Sequence, residues 1–214
     1  MATRLDRLSD YGIVGKRTKT EEVFLKIEKH FRSNKDTPSV YVQKLWGKYQ
    51  QVIPEKKKNN SLNGNIFEAI VITALIKEEI LPIYTQTNLE FVPNVDYDIV
   101  LFPKKEDGEV DVSAPIVLSL KTSLRERYKQ ADLEGLALKD VYKRGVSYLV
   151  TLDDTSTIEL VNEKIKQKDI RGIDGFISAI SSEFDELIAG LKSNGVSTPP
   201  PIQVINDSKK IEIE

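Results

Sequence analysis

The stretch whose reading decides the fold is "APIVLSLKTSLRERYKQADLEG", residues 114–135. It opens as a near-continuous apolar run, the pattern of a strand covered on both faces. It closes as a charged segment with helix-forming character. Ser119 and Lys121 lie two apart, so they share one face of the strand. Lys121 falls at its tip, and Arg125, Glu126 and Arg127 follow at once. Apolar residues at Ala131, Leu133, Leu136, Ala137 and Val141 predict a helix over residues 123–140. "VSYLVTL", residues 146–152, then reads as a second buried strand. A strand, a helix and a strand in this order indicate an α/β arrangement.

Upstream, residues 83–91 and "VDYDIVLF", residues 95–102, carry strand patterns. The charged turn "KKEDGE", with Asp107-Gly108, is a hairpin signal. It predicts antiparallel pairing of residues 95–102 with residues 115–120. Helical spacing is found over residues 20–31, with Thr20 as N-cap, and over residues 40–53. The strongly apolar segment after Asn63-Gly64-Asn65 predicts a helix over residues 65–79. Further helices are expected over residues 159–167 and 174–192, and a short edge strand near residues 202–205 in a proline-stiffened tail. The lysine run at residues 56–58 reads as a solvated loop. The expected fold is α/β (α+β), a mixed sheet flanked by helices. Residues 1–60 would be a helical region packed on or extending a core at residues 61–195, with residues 196–214 a tail, all in a single domain.

Composition narrows the chemistry. The chain has 214 residues, 40% hydrophobic and 30% charged, which is ordinary for a globular protein. No run of 18 apolar residues announces a transmembrane helix, and the first residues lack the apolar core of a secretory signal. The chain has no cysteine, which excludes disulfides and thiol catalysis and suits a cytoplasmic protein. His30 is the single histidine, so a His-based triad or a multi-His zinc site is excluded. A metal would have to be held by oxygen, which favours Mg²⁺. The net charge of −2 announces no nucleic-acid partner globally, but such binding depends on local charge.

No phosphate-binding glycine loop, Gly-x-Gly-x-x-Gly or Gly-x-Ser-x-Gly occurs. What remains are polar residues set in apolar strands. Asp98, with Asp96 two residues earlier, leads into a buried strand. If that strand pairs antiparallel with the next, Asp98 and Lys121 become neighbours. Glu134, thirteen residues beyond Lys121, can be returned to the same place by a helix doubling back along the sheet. Two carboxylates with a backbone carbonyl can hold Mg²⁺, and a lysine beside them can orient or help deprotonate an attacking water. This is a phosphodiesterase constellation. Glu68, charged among Phe67, Ile70 and Val71, is either an acid favoured by its helix dipole or a carboxylate aimed into the site.

"VDYDIVLF…PIVLSLK" resembles the core of the PD-(D/E)xK nucleases, in which an Asp is followed by an acid-x-Lys at a strand end. Here Ser119 stands where that acid would be. One branch, the restriction endonucleases recognising CCGG or CCNGG sites, places the second acid thirteen or fourteen residues after the lysine, where Glu134 lies. "KTSLRERYKQADLE" resembles the corresponding segment of the CCNGG-cutting enzymes, and "NGNIFEAIVITAL" the helix that supplies a supporting Glu, here Glu68. The match covers roughly residues 63–152. It implies a restriction-endonuclease-like core in a cytoplasmic, prokaryotic type II enzyme that cleaves double-stranded DNA as a homodimer with Mg²⁺. Asp98 (or Asp96), Glu134 and Lys121 would be catalytic, with Asp98, Glu134 and the Leu120 carbonyl on the metal. Arg125, Glu126 and Arg127 would read G·C pairs, since Arg bonds guanine O6 and N7 and Glu accepts from cytosine N4. Ser119 and Lys129 would also face DNA, with Lys139, Lys143 and Arg144 as candidate phosphate contacts. Another nuclease of the superfamily, acting in DNA repair or junction resolution without strict sequence choice, and a non-catalytic DNA-binding domain are the alternatives.

Overall fold

The apolar run of the quoted stretch forms strand β3 (Ile116–Lys121), and its charged end leads into helix α4 (Tyr128–Val141). The structure, a computed structural model, describes residue 13 and residues 18–28, 35–124, 128–200 and 210–212. Before β3 come α1 (Lys19–Glu28), α2 (Pro38–Val52), a 3₁₀ turn (Glu55–Lys57), α3 (Asn60–Lys77), β1 (Ile83–Thr87) and β2 (Tyr97–Leu101). After α4 come β4 (Val146–Thr151), α5 (Thr155–Lys166), β5 (Gly175–Ser178), α6 (Ser182–Asn194) and β6 (Lys210–Ile211).

The six strands form one sheet in the order β5-β4-β3-β2-β1-β6. β3, β4 and β5 run parallel, joined through α4 and α5. β2 pairs antiparallel with both β3 and β1, and β6 pairs antiparallel with β1. The sheet is mixed, as expected. The register Ile99↔Leu118, Val100↔Val117 and Leu101↔Ile116 brings the start of β2 alongside the end of β3. One step further the register sets Asp98 opposite Ser119, and the long Lys121 side chain, two residues on along the same face, reaches Asp98 diagonally.

Alternation along the strands sorts side chains onto two faces. Ile99, Leu101, Leu118, Leu120, Val150 and Ile177 join α1, α2, α3 and α6 in one core. On the other side, Val100 and Val117 pack with Leu138 and Tyr142, and Leu149 and Phe176 with Ala131, Ile158 and Val161. Both faces are covered, which is why β3 and β4 read as continuous apolar runs.

α3 is the central helix, buried on most of its surface from Ile66 to Ile76. It starts earlier than its apolar pattern suggests. Asn59 caps it by accepting from the Leu62 backbone N–H at 2.8 Å. Asn63, Gly64 and Asn65 thus lie inside the helix, and Glu68 lies past its first turns. The dipole account of that carboxylate loses its basis, because the dipole acts within the first turn. The helix expected over residues 174–192 is two elements. Gly175-Phe176-Ile177-Ser178 forms β5, and α6 begins only at Ser182. Phe176, Ile177, Ile180 and Phe184 mimic helical spacing, but hydrogen bonding to β4 captures the first of them. The edge strand expected near residues 202–205 lies outside the described residues, as does His30; β6 is found further on. Trp46 packs against Tyr49 and Phe67, and Tyr128 against Phe176.

Candidate active site

The Asp98 carboxylate is held from three directions. Its Oδ2 accepts from the Leu120 backbone N–H at 2.7 Å and from Lys121 Nζ at 3.1 Å. Its Oδ1 accepts from Gln86 Nε2 at 3.1 Å. The Asp98 and Lys121 side chains are only 20% and 16% exposed, so water screens the pair weakly. Asp96 is elsewhere: it is exposed, lies before β2, and accepts from Asn88 Nδ2 at 2.7 Å. Of the two aspartates considered from the sequence, Asp98 is the one beside Lys121.

Glu134 reaches the same end of the sheet from α4. Its Oε2 makes a long contact of 3.5 Å with the Ser119 hydroxyl, and its Oε1 accepts from Gln130 Nε2 at 2.7 Å. Burial holds its pKa above the usual glutamate range; the nearby Asp98 charge acts in the same direction, while Gln130, Lys121 and Ser119 act against it. Tyr97 fastens the helix here by donating from its hydroxyl to the Glu134 backbone carbonyl at 3.1 Å. Burial raises the Tyr97 pKa, so the phenol stays a proton donor.

Glu68 joins through Gln86. Gln86 Nε2 lies 3.1 Å from Glu68 Oε1 as well as 3.1 Å from Asp98 Oδ1. Gln86 sits within β1 yet has φ of +47°, in the left-handed region that non-glycine residues rarely occupy. Such a backbone costs on the order of 1–3 kcal/mol and persists where surrounding structure enforces it.

The sequence thus led to Asp98, Lys121, Ser119, Glu134 and Glu68, and the fold brings all five to one end of the sheet. It did not lead to Gln86 or Gln130. Gln130 had a signal, since it stands one helical turn before Glu134. Gln86 had none: one polar residue in "IYTQT" is unremarkable in a strand. Arg125, Glu126 and Arg127 lie outside the described residues. Leu124, just before them, donates its backbone N–H to Asp153 Oδ2. Lys139 and Arg144 are occupied within the protein. Lys139 binds the Asp174 carboxylate and the Arg171 carbonyl, and Arg144 binds Asp111 and Ser113. Lys129 and Lys143 are exposed.

Among the described residues no group of three or more acids or histidines is gathered to hold a metal. The carboxylates flanking Lys121 and Ser119 are those of Asp98 and Glu134, with Glu68 beyond Gln86. Two carboxylates in mutual repulsion, one of them with a raised pKa, suit a small hard cation completed by carbonyl, water and phosphate oxygens.

No protein-family model matches the sequence, and no curated protein matches it. Solved structures do. The restriction endonuclease PspGI, in complex with its substrate DNA, aligns over 90% of this chain and 86% of its own, with a TM-score of 0.57 and 18% identity. The fold is that of a restriction endonuclease. The type IIP restriction endonuclease Kpn2I aligns over 82% of this chain and 72% of its own, with a TM-score of 0.49 and 14% identity.

Proposed function

We propose that this restriction-endonuclease-like chain is a Mg²⁺-dependent type II enzyme that cuts both strands of DNA at a short G·C-rich site of the CCGG or CCNGG kind. The observation that carries the reading is the pairing of Asp98 with Lys121 at 3.1 Å, with Glu134 brought from α4 to Ser119 on the same strand. A helix-borne acid thereby stands in for the acid missing from the strand.

Asp98, Glu134 and the Leu120 carbonyl are the residues that would hold Mg²⁺. When bound, the ion supplies a Lewis acid that offsets charge gathering on the scissile phosphate. Lys121 donates a hydrogen bond to the attacking water and holds it in line with the bond to be broken. Water oxygen bonds to phosphorus, the P–O3′ bond breaks, and the 3′ oxygen leaves as a hydroxyl carrying the water's proton. The other end keeps a 5′-phosphate. Ser119 and Gln130 hold the Glu134 carboxylate from both oxygens. Arg125, Glu126 and Arg127, which connect β3 to α4 just beyond Lys121, would read the bases. Glu68 supports Asp98 from α3.

The test is digestion of unmethylated plasmid DNA with Mg²⁺, followed by run-off sequencing of the fragments. Discrete bands with one common end sequence are expected. A smear or structure-dependent nicking would assign the chain to a repair or junction nuclease, and the absence of any hydrolysis would remove the nuclease reading.

A further inference from the structure

Gln86 connects two carboxylates that come from different elements. One amide nitrogen lies 3.1 Å from Glu68 Oε1 on α3 and 3.1 Å from Asp98 Oδ1 on β2. An amide nitrogen carries two hydrogens, so a single group can serve both acids. The amide oxygen could not replace it there, since it would face two carboxylates. Asp98 Oδ2 is already taken by Leu120 N–H and Lys121 Nζ, so the Gln86 contact is what holds the second oxygen. The backbone at Gln86 is held at φ of +47° within a strand, where an ordinary strand residue would be extended. The fold keeps an unfavourable backbone at the position whose side chain spans the two acids.

We propose that Gln86 is a positioning residue that fixes the plane of the Asp98 carboxylate and ties it to Glu68, so that Asp98 is oriented for a divalent cation before DNA arrives. This rests on the nuclease reading of the same site. The chemistry explains the residue type. A neutral donor joins two anions without introducing a positive charge that would compete with the cation. Asparagine tolerates the left-handed backbone, but it is one methylene shorter and cannot reach both acids. Lysine would reach but would neutralise the site. Outer contacts of this kind typically govern about 10–100-fold in metal affinity or activity.

Two variants of the full chain test the proposal, Gln86→Gly and Gln86→Asn. Glycine adopts a positive φ freely, so Gln86→Gly removes the bridge while relieving the backbone. Its melting temperature is expected to equal or exceed that of the original chain. Calorimetric titration with Mg²⁺ alone, without DNA, is expected to show affinity lowered about 10–100-fold. Cleavage should lose a similar factor in kcat, with the KM for DNA within about twofold. Gln86→Asn should behave likewise in binding and kcat. Unchanged Mg²⁺ affinity and kcat in Gln86→Gly would overturn the role of Gln86, and so would a fall in melting temperature in step with the loss of kcat. An original chain that cuts no DNA in Mg²⁺ removes the nuclease reading itself, an outcome separate from either.

Discussion

Glu134 is where burial and charge meet most directly. Burial raises its pKa, and the negative charge of Asp98 adds to the effect. The folded chain therefore binds this proton more tightly than the unfolded chain does. The sign follows: the contribution to stability is fully present below the ordinary glutamate value and is lost as pH rises through the raised folded value. In metal-free buffer the melting temperature should decline over that window, and Glu134→Gln should flatten the decline. On the proposed function, Glu134 would hold Mg²⁺ only when ionised, so the acid limb of the cleavage profile should lie above the usual carboxylate range. Raising Mg²⁺ should move that limb to lower pH, because cation and proton compete for the same oxygens; a limb indifferent to Mg²⁺ would count against Glu134 as a ligand. Lys121 and Glu134 also lend themselves to simple deletion. Lys121→Ala or Glu134→Ala should lower kcat by about 10²–10³-fold or more, the loss typical of one aligned electrostatic group. Specific binding, measured by gel shift, should be largely retained. Efficient cutting by either variant would sink the assignment.

At the scale of elements, α4 is the part that must be placed accurately, because it carries Glu134. Three contacts set its position. Tyr97 donates to the Glu134 carbonyl, and Asp132 Oδ1 accepts from the Arg171 and Gly172 backbone N–H groups at 2.9 and 2.6 Å. Gly135 lies so close to Gly172 that a Cβ on either would run into the other segment's backbone. Gly135 costs the helix about 1 kcal/mol in propensity relative to alanine, and this close approach is the reason for it. Gly135→Ala should therefore destabilise rather than stabilise. Backbone has to move, so a loss of about 1–3 kcal/mol is expected in chemical denaturation. Cleavage should fall further than that loss implies, because Glu134 moves with the helix. A stabilised Gly135→Ala variant would show that α4 has room at this point. α3 contributes on the opposite face: its apolar surface fills the core, and Glu68, its one acidic residue, reaches Gln86.

For the whole molecule, the sheet determines what the site can serve. β3, β4 and β5 run parallel and end at the same edge, where Lys121, Thr151 and Ser178 lie. β2 runs the other way and delivers Asp98 from its beginning. One chain offers one such constellation, whereas cutting both strands of a two-fold site at once calls for two copies. Analytical ultracentrifugation is expected to give twice the chain's mass of 24.2 kDa, at least with DNA bound. Plasmid should pass from supercoiled to linear with little nicked intermediate. A strict monomer that accumulates nicked circles would argue for a single-strand nuclease.

The sequence by itself determined the mixed α/β class, the β3–α4–β4 unit and the residues with chemical potential, because these depend on local pattern. Buried parallel strands appear as apolar runs, and a lysine at the tip of one stands out against them. The resemblance to the PD-(D/E)xK nucleases, carried by the same stretch, marked Ser119 as standing in place of an acid and pointed forward to Glu134. The beginning of α3 and the strand β5 were not legible. Asn59 captures the helix start with its own side chain, and β5 is a strand because β4 offers it hydrogen bonds. Only the tertiary structure showed which of Asp96 and Asp98 lies beside Lys121: the Lys121 side chain reaches diagonally across the strands to Asp98, while Asp96 is turned to Asn88. Only it brought out Gln86, which lies between two acids distant in sequence, and only it showed that Lys139 and Arg144 have carboxylate partners within the protein. The physical reason is the same throughout. Hydrophobic period and spacing are written along the chain, whereas a polar side chain's partner is fixed by which strands and helices come together.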